Sequence, residues 1–305
     1  MTAPREILPG RTYMITRRCS QRQFLLRPDR RTNAIFEYCL AEAARRHGIW
    51  LIAWVAMSNH FHAVVHDPRG RLPAFLEHLH GMLARCLNVR WSRWENLWSS
   101  EPTCVTYLPT PEAVFEKVCY VLSNPVVDDL VDRLVDWPGS TSTHHLDGRR
   151  TVHERPEIFF HPDGPMPESV ELAASQPPCS AARESAAEWA ARVRAQVARV
   201  ELAARELRLR DGRRVLGRKA VLTASAFDTP KTSEPRRNLR PAVACRDKAT
   251  RIEALRQLVA FRVDYRDARL RFAAGEHRVL FPAGTYRLRF SAAARCAPFP
   301  IPIAA

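Results

Sequence analysis

The order of the elements predicted for residues 1–150 indicates an α+β fold with a mainly antiparallel sheet, backed by helices on one face. Short apolar runs between turn residues predict four strands, and apolar residues that recur at helical spacing predict three helices. Their order along the chain is strand, helix, strand, strand, helix, strand, helix. This order is the split βαβ, ferredoxin-like pattern, so a single domain is expected here.

Turn and capping residues delimit these elements. Gly48 is a stop signal for the first helix, Ser58-Asn59 turns the second strand into the third, and Pro125 terminates the last helix. The run 49–57 is apolar throughout, which is typical of a strand covered on both faces. In chain order, the predicted ranges are 12–16, 33–47, 49–57, 60–67, 72–94, 103–108 and 111–123.

The remainder of the chain differs in composition from this domain. Residues 151–180 are rich in proline and are predicted to form a linker with little secondary structure. Residues 181–305 are predicted to form a basic, mainly helical accessory region. Within it, helices are predicted over 181–210 and 248–272, and short hairpins over 213–222 and 278–290.

The net charge is strongly positive, which favours a polyanionic partner. The 305 residues carry 47 Lys and Arg against 32 Asp and Glu, a net charge of +15. Residues 1–150 carry 19 basic and 15 acidic side chains and the remainder carries 28 and 17, so most of the excess lies in the second half. Its concentration in 205–218 and 231–240 predicts nucleic-acid binding by the accessory region, with a solvated helix and a disordered basic loop as the alternative. An arginine-rich genome would explain arginine over lysine, but not the sign of the charge.

Cysteine usage and hydropathy indicate the compartment. The eight cysteines include no Cys-x-x-Cys pair, which is typical of buried thiols in a reducing compartment and not of a disulfide or zinc framework. The longest apolar run, 49–57, is too short to span a bilayer, and the N-terminal residues lack the apolar core of a signal peptide. A soluble, cytoplasmic protein that does not enter a membrane is therefore expected.

The candidate chemistry starts at His60-Phe61-His62. Alternate residues of a strand point to the same side, so both imidazoles share one face while Phe61 points into the core. Two imidazoles on one face form half of a metal site. Taken alone, such a pattern is more often explained by packing or hydrogen bonding than by metal binding.

A second pair, Tyr120 and Asn124, lies on the last predicted helix, where their spacing places both side chains on one face. A metal site together with a tyrosine nucleophile is what a tyrosine-mediated cleavage of a phosphodiester requires. Lys117 shares that face and could assist ionisation of the phenol, although a solvated helix lysine is the alternative. Core packing is expected for the other tyrosines, which are Tyr13, Tyr38, Tyr107, Tyr265 and Tyr286.

The two motifs together resemble a known family. Met57-Ser-Asn-His-Phe-His62 is similar to the histidine–hydrophobe–histidine box of the single-tyrosine HUH transposases. Tyr120-Val-Leu-Ser-Asn-Pro-Val126 resembles the tyrosine helix of the REP-associated tyrosine transposases. Further matching positions, within a resemblance that spans residues 10–145, are Asn88, Leu97-Trp98, Leu130-Val131 and Trp137-Pro138.

Two departures from the family pattern change the charge near the expected DNA path. Asp128-Asp129 stands where the family usually has an Ala-Gly pair. Ser99-Ser-Glu-Pro102 stands where the family usually has an arginine and a phenylalanine. Both departures make the local charge more negative.

The resemblance implies an HUH endonuclease domain that cleaves and rejoins single-stranded, hairpin-flanked DNA through a 5′-phosphotyrosine intermediate. It implies that Tyr120 is the nucleophile. The implied ligands of one divalent cation, either Mg²⁺ or Mn²⁺, are His60, His62 and Asn124. The candidate phosphate contacts are Arg17, Arg18, Arg85 and Arg90.

Three tryptophans lie near the end of the helix predicted over 72–94 or soon after it. Trp91, Trp94 and Trp98 could stack on bases, but their spacing is also that of a core stripe, so at least two are expected to pack.

A replication-initiation or relaxase protein would use similar chemistry, but such proteins tend to carry Tyr-x-x-Lys or a second nearby tyrosine, and neither follows Tyr120. A domesticated, non-cleaving DNA- or RNA-binding protein is the other alternative. Both a monomer and a homodimer fit the sequence.

Overall fold

The computed structural model describes residues 4–231 and 241–300. Its main sheet consists of β1 (Arg11–Arg18), β2 (Trp50–Ala56), β3 (His60–Asp67) and β4 (Cys104–Tyr107). The strands lie in the order β2-β3-β1-β4, and every neighbouring pair is antiparallel. With a helix after β1 and another after β3, this arrangement is the ferredoxin-like fold that the sequence predicts.

One face of the sheet is covered by α1 (Arg30–His47) and α2 (Leu72–Arg90), which share a core with alternate residues of the inner strands, among them Phe61. The first helix begins at Arg30, three residues before the predicted start. The reason is a cap: the Asp29 carboxylate accepts a hydrogen bond from the backbone N–H of Thr32 at 2.9 Å.

The opposite face is covered by α3 (Pro111–Val127), so both faces carry helices, not one as predicted. Pro125 does not terminate this helix but lies within its last turn. A proline there forfeits a single helical hydrogen bond, and its own carbonyl still accepts from the backbone N–H of Leu130 at 3.0 Å. The helix therefore carries the predicted Tyr120 and Asn124 on a continuous backbone.

The segment predicted to be a linker contains regular structure instead. β5 (Arg150–Glu154) and β6 (Ser169–Ala173) form an antiparallel hairpin, and Val170 and Leu172 are buried in the core shared with α1. The prolines that suggested a linker lie outside both strands, so composition obscured the apolar alternation of β6.

The C-terminal region is mainly helical, as predicted. Its helices are α4 (Pro178–Ala181), α5 (Ala186–Arg210), α6 (Arg218–Thr223), α7 (Lys248–Ala273) and α8 (Arg287–Ser291). The hairpins predicted over 213–222 and 278–290 are wrong, because short basic and apolar runs beside glycine do not distinguish a strand from a helical turn. Of the basic stretch 231–240, residues 232–240 lie outside the described part of the chain.

The C-terminal region is joined to the sheet domain at several places, among them the surface of α3 and the edge of β4. Trp189 of α5 is buried, with its ring centre 5.7 Å from that of Phe115 on α3. Beside β4, the backbone N–H of Tyr107 donates to the carbonyl of Ala242 at 2.8 Å, and Ala244 donates back to the carbonyl of Tyr107 at 3.0 Å. This short segment therefore runs along the outer edge of β4 and covers it.

The outer edge of β2 is covered as well. The backbone N–H of Ala56 donates to the carbonyl of Ser140 at 2.8 Å, and Ser175 donates to the carbonyl of Leu51 at 2.6 Å. In the described residues, both edge strands of the sheet thus have partners from elsewhere in the chain.

All eight cysteines are free thiols, most of them buried, as the lack of a pairing motif predicts. Within residues 4–231 and 241–300, no helix combines the length and the apolar character needed to cross a membrane.

Candidate active site

His60 and His62 lie at the start of β3 on the side opposite to Phe61, facing the layer that contains α3. Their Nε2 atoms converge to 3.1 Å. Two imidazole nitrogens bound to one divalent cation at about 2 Å would have a comparable separation. The structure therefore brings together the pair that strand alternation predicts.

Each imidazole is oriented through its other nitrogen. His60 Nδ1 lies 2.7 Å from the side-chain oxygen of Asn59, which can only accept, so Nδ1 carries the proton and Nε2 the lone pair. His62 Nδ1 lies 2.7 Å from the hydroxyl of Thr16, its partner across the sheet on β1. Since a hydroxyl can donate or accept, the tautomer of His62 can follow what its Nε2 binds.

Both imidazoles are neutral at physiological pH. Burial, followed by the neighbouring imidazole and two arginines, holds the pKa of His60 well below its usual range. Burial also lowers the pKa of His62 to about 3, and the cations of Arg18 and Lys117 add to the effect. Neutral imidazoles keep their lone pairs, so both side chains are available as metal ligands without first losing a proton.

Tyr120 lies beside this pair on α3. The centre of its ring is 5.6 Å from that of His62, and 43% of the residue is exposed, so a substrate can reach it. The ammonium of Lys117 lies 5.1 Å from the centre of the Tyr120 ring, so this lysine is not simply solvated. Burial raises the pKa of Tyr120, the Asp128 carboxylate raises it further, and a hydrogen bond with Asn124 opposes the rise. The phenol is therefore neutral by itself and needs help to ionise.

Asn124 is 5% exposed, and its side-chain oxygen has no hydrogen-bond partner. A buried polar oxygen of this kind is normally satisfied by a donor or a cation. Two neutral imidazoles and one amide oxygen suit Mn²⁺ or Mg²⁺, so the residues present fit the implied metal. Among the described residues, no three His, Cys, Asp or Glu side chains are grouped so that they could hold a metal, which leaves this mixed set as the candidate.

Two of the arginines predicted to contact phosphate lie at the end of β1. Arg18 is paired with His60 across the sheet and is on the same side as the imidazoles. Arg17 is on the other side, where its guanidinium lies 5.7 Å from the ring centre of Trp98 and donates to the carbonyl of Glu101. Of these two arginines, only Arg18 lies next to the imidazoles.

The other two arginines lie on α2, on the opposite face of the sheet. Arg90 donates to the carboxylate of Asp29 at 2.8 Å, and its side chain is 10% exposed. Arg85 is exposed, with its guanidinium 5.9 Å from the ring centre of Phe159. The structure does not bring either to the imidazoles, and their contact with DNA stays a prediction.

The tryptophans after α2 differ from one another. The indole N–H of Trp98 donates to the carbonyl of His80, and that of Trp91 donates to the carbonyl of Leu25, each at 3.0 Å. Trp94 is 92% exposed. The prediction that at least two of them pack is confirmed, and Trp94 is left as the candidate for base stacking.

The residues that orient the two imidazoles were missed by sequence reasoning. Asn59 had a signal, because it is the polar residue directly before His60 in the motif. Thr16 had none, because its place beside His62 depends on the register between β1 and β3, which no local pattern specifies.

Comparison with known proteins finds similarity only at the level of structure. No protein-family model matches the chain, and no curated protein matches it. The REP-associated tyrosine transposase bound to a REP hairpin is similar over 49% of this chain and 86% of that chain, at 17% identity and a TM-score of 0.41. A proposed transposase from Deinococcus radiodurans is similar over 34% of this chain and 84% of that chain, at 22% identity and a TM-score of 0.28. Likenesses at this level concern the path of the chain and assign no activity.

Proposed function

We propose that this protein is a metal-dependent tyrosine transposase that cleaves and rejoins single-stranded, hairpin-flanked DNA. The observation that carries the proposal is the convergence of two neutral imidazoles to 3.1 Å, with the ring of Tyr120 at 5.6 Å from His62. A nucleophile next to a candidate metal site is what a covalent phosphodiester cleavage needs. The net charge of +15 supports a nucleic acid as the substrate.

In the proposed reaction, the hydroxyl oxygen of Tyr120 attacks the scissile phosphorus and loses its proton. The new bond joins the phenol oxygen to the 5′-phosphate, the bond from phosphorus to the 3′ oxygen breaks, and that oxygen takes up a proton. The released 3′-OH can attack the phosphotyrosine in turn. The energy of the original phosphodiester is thereby conserved, so rejoining needs no external energy source.

The residues around Tyr120 have separate parts in this reaction. His60, His62 and the Asn124 oxygen would hold a divalent cation, which when bound polarises the scissile phosphate and withdraws charge from the transition state. Lys117, with its ammonium 5.1 Å from the centre of the phenol ring, would stabilise the phenolate that forms when Tyr120 loses its proton.

The proposed path of the DNA passes Arg18 and Trp94. The loop that carries Trp94 is attached to the chain just after β1, where the backbone N–H of Ser20 donates to the carbonyl of Leu97 at 2.8 Å. That same segment is hydrogen-bonded to the turn before His60, which connects the loop of Trp94 to the end of the sheet where the imidazoles lie. Arg18 would contact a phosphate and Trp94 an unpaired base.

The test is incubation of the protein with a hairpin oligonucleotide that has a single-stranded flank labelled at its 3′ end, in Mn²⁺, Mg²⁺ or EDTA. We expect a labelled covalent adduct only with metal. Tyr120→Phe should bind the hairpin and form no adduct, whereas Tyr107→Phe, a control on β4, should react normally. An adduct mapped by mass spectrometry to another tyrosine would overturn the mechanism, and binding without any adduct would favour the non-cleaving alternative.

A further inference from the structure

Arg208 of α5 is an almost fully buried arginine at the end of the tyrosine helix. Its side chain is 4% exposed, and it donates to the carbonyl of Val126, in the last turn of α3, at 3.1 Å. It also binds the carboxylates of Asp129 at 3.2 Å and Asp132 at 3.0 Å. Burying a guanidinium is costly unless it is paired and hydrogen-bonded, so the contacts to these three acceptors are tightly interdependent.

Asp129, the central partner, has a backbone conformation that a residue with a side chain rarely adopts. Its φ is 55°, in the left-handed region that favours glycine. Its carboxylate is bound from two sides, by Arg208 and by Arg213. A conformation of this kind persists only where its surroundings hold it, and here the C-terminal region supplies the contacts.

The chain after α5 encloses the same turn through its backbone. The N–H of Leu216 donates to the carbonyl of Asp129 at 2.8 Å, and the N–H of Gly217 donates to the carbonyl of Leu130 at 2.9 Å. The end of α3 is therefore held by side chains and by main chain from one short stretch, 208–217.

We infer that Arg208 is a positioning residue that fixes the tyrosine helix so that Tyr120 stays beside His62; the inference rests on the proposed function. Tyr120 and Asn124 lie on the last two turns of α3, and the N–H of Asp128 donates to the carbonyl of Asn124 at 3.0 Å. A shift of the turn that Arg208 binds would therefore be transmitted along the helix to Tyr120 and Asn124. Reaction rates are sensitive to such shifts, because a misplacement of about 1 Å can cost about 100-fold.

The contacts of Arg208 and Arg213 also neutralise acidic side chains next to the proposed path of the DNA. Asp129 and Asp132 add negative charge directly after the tyrosine helix, and Arg208 and Arg213 offset it. Part of the positive charge of the C-terminal region is therefore paired inside the molecule. There it stabilises the position of α3, in addition to any contact with DNA.

The test compares Arg208→Met with Arg199→Met, a control at an exposed position of α5 that lies outside the basic stretch 205–218. We expect the rate of adduct formation at saturating hairpin DNA to fall by about 10- to 100-fold in the first variant and to stay unchanged in the second. Hydrogen exchange of the amides over 124–132 should rise in the first variant only. Any loss of DNA affinity should be smaller than the loss of rate, because Arg208 contacts no substrate and its removal acts on the DNA only through the charge of Asp129 and Asp132.

Asp129→Gly is the second variant, because glycine accepts the left-handed backbone without strain and removes the carboxylate. It should fold, lose rate and gain exchange in the same way as Arg208→Met. Arg208→Lys keeps the charge and should recover part of the rate. Folded variants with unchanged rate and exchange would overturn the inference, as would a rate loss matched by an equal loss of DNA affinity. If the unchanged protein forms no adduct at all, the proposed function fails. The hydrogen-exchange measurement alone then decides whether Arg208 fixes the end of α3.

Discussion

The two halves of the candidate site are held in different ways. His60 and His62 lie on β3, an inner strand that is hydrogen-bonded to β1 on one side and to β2 on the other. Tyr120 and Asn124 lie on a helix that covers the sheet and whose end is fixed by Arg208 of α5. The first half cannot shift without breaking the sheet, whereas the second can shift as one helix. Substitutions in the first half should therefore act through the ligands themselves, and those in the second partly through position.

His60→Ala should have the largest effect, because it removes a ligand from the rigid half while the backbone of β3 is unchanged. We expect metal-dependent cleavage to fall by at least about 100-fold, with hairpin binding and the thermal unfolding temperature nearly intact. His66→Ala is the matched control, because His66 lies on the same face of β3 and bonds Thr12, not the site. Normal cleavage by His60→Ala, or its unfolding, would show that the residue is a structural histidine.

Asn124→Ala tests whether the helix half contributes to the metal site. Its unpartnered side-chain oxygen predicts that the metal concentration needed for half-maximal cleavage rises by about 10- to 100-fold, while Tyr120 remains able to form the adduct at high metal. The neighbouring Ser123→Ala is the control, since the Ser123 hydroxyl bonds the carbonyl of Cys119 within the helix. An unchanged metal dependence would confine the metal site to the strand.

Thr16→Val tests the orientation of His62 without touching a ligand. Losing the 2.7 Å contact to His62 Nδ1 should weaken metal affinity by about tenfold, because residues that orient a ligand typically contribute this much. Thr12→Val removes the equivalent contact to His66 and should leave metal affinity unchanged. Equal effects of the two substitutions would mean that the strand is merely loosened.

Trp94→Ala should have the smallest effect and lies in neither half. Stacking on a base contributes about 1 kcal/mol or somewhat more, so affinity for the single-stranded flank should fall by about fivefold. The rate at saturating DNA and the metal dependence should be unchanged, and Trp94→Phe should restore the affinity. A change in metal dependence would place Trp94 closer to the imidazoles than the fold indicates.

The parts of the site that follow local backbone rules could be predicted from the sequence. Strand alternation places His60 and His62 on one face, and helical spacing does the same for Tyr120 and Asn124. The four strands and three helices of residues 1–150 follow from the same rules, with errors at the ends that arise from caps such as Asp29. Division of the chain into domains at 150 and 180, and the DNA contacts of the basic stretches, stay predictions.

The parts that depend on distant contacts could not be predicted. From the sequence, Arg90 is a candidate phosphate contact, but the structure pairs it with Asp29. Arg208 resembles a solvated helix residue in the sequence, but the structure pairs it with acidic side chains. The β5–β6 hairpin is stabilised by Leu172 against the helices, which proline content conceals. A sequence shows the charge of a side chain, but not the partner that uses it.

The pairing beside β4 determines how far this protein is modular. A chain ending near residue 150 would lose the segment that bonds Tyr107, which leaves the edge of β4 open, and would bare the surface of Phe115 that Trp189 covers. Open strand edges recruit strands from other molecules, and bared apolar surface promotes the same association. We therefore expect the shortened protein to self-associate, which would show that the sheet domain depends on the C-terminal region.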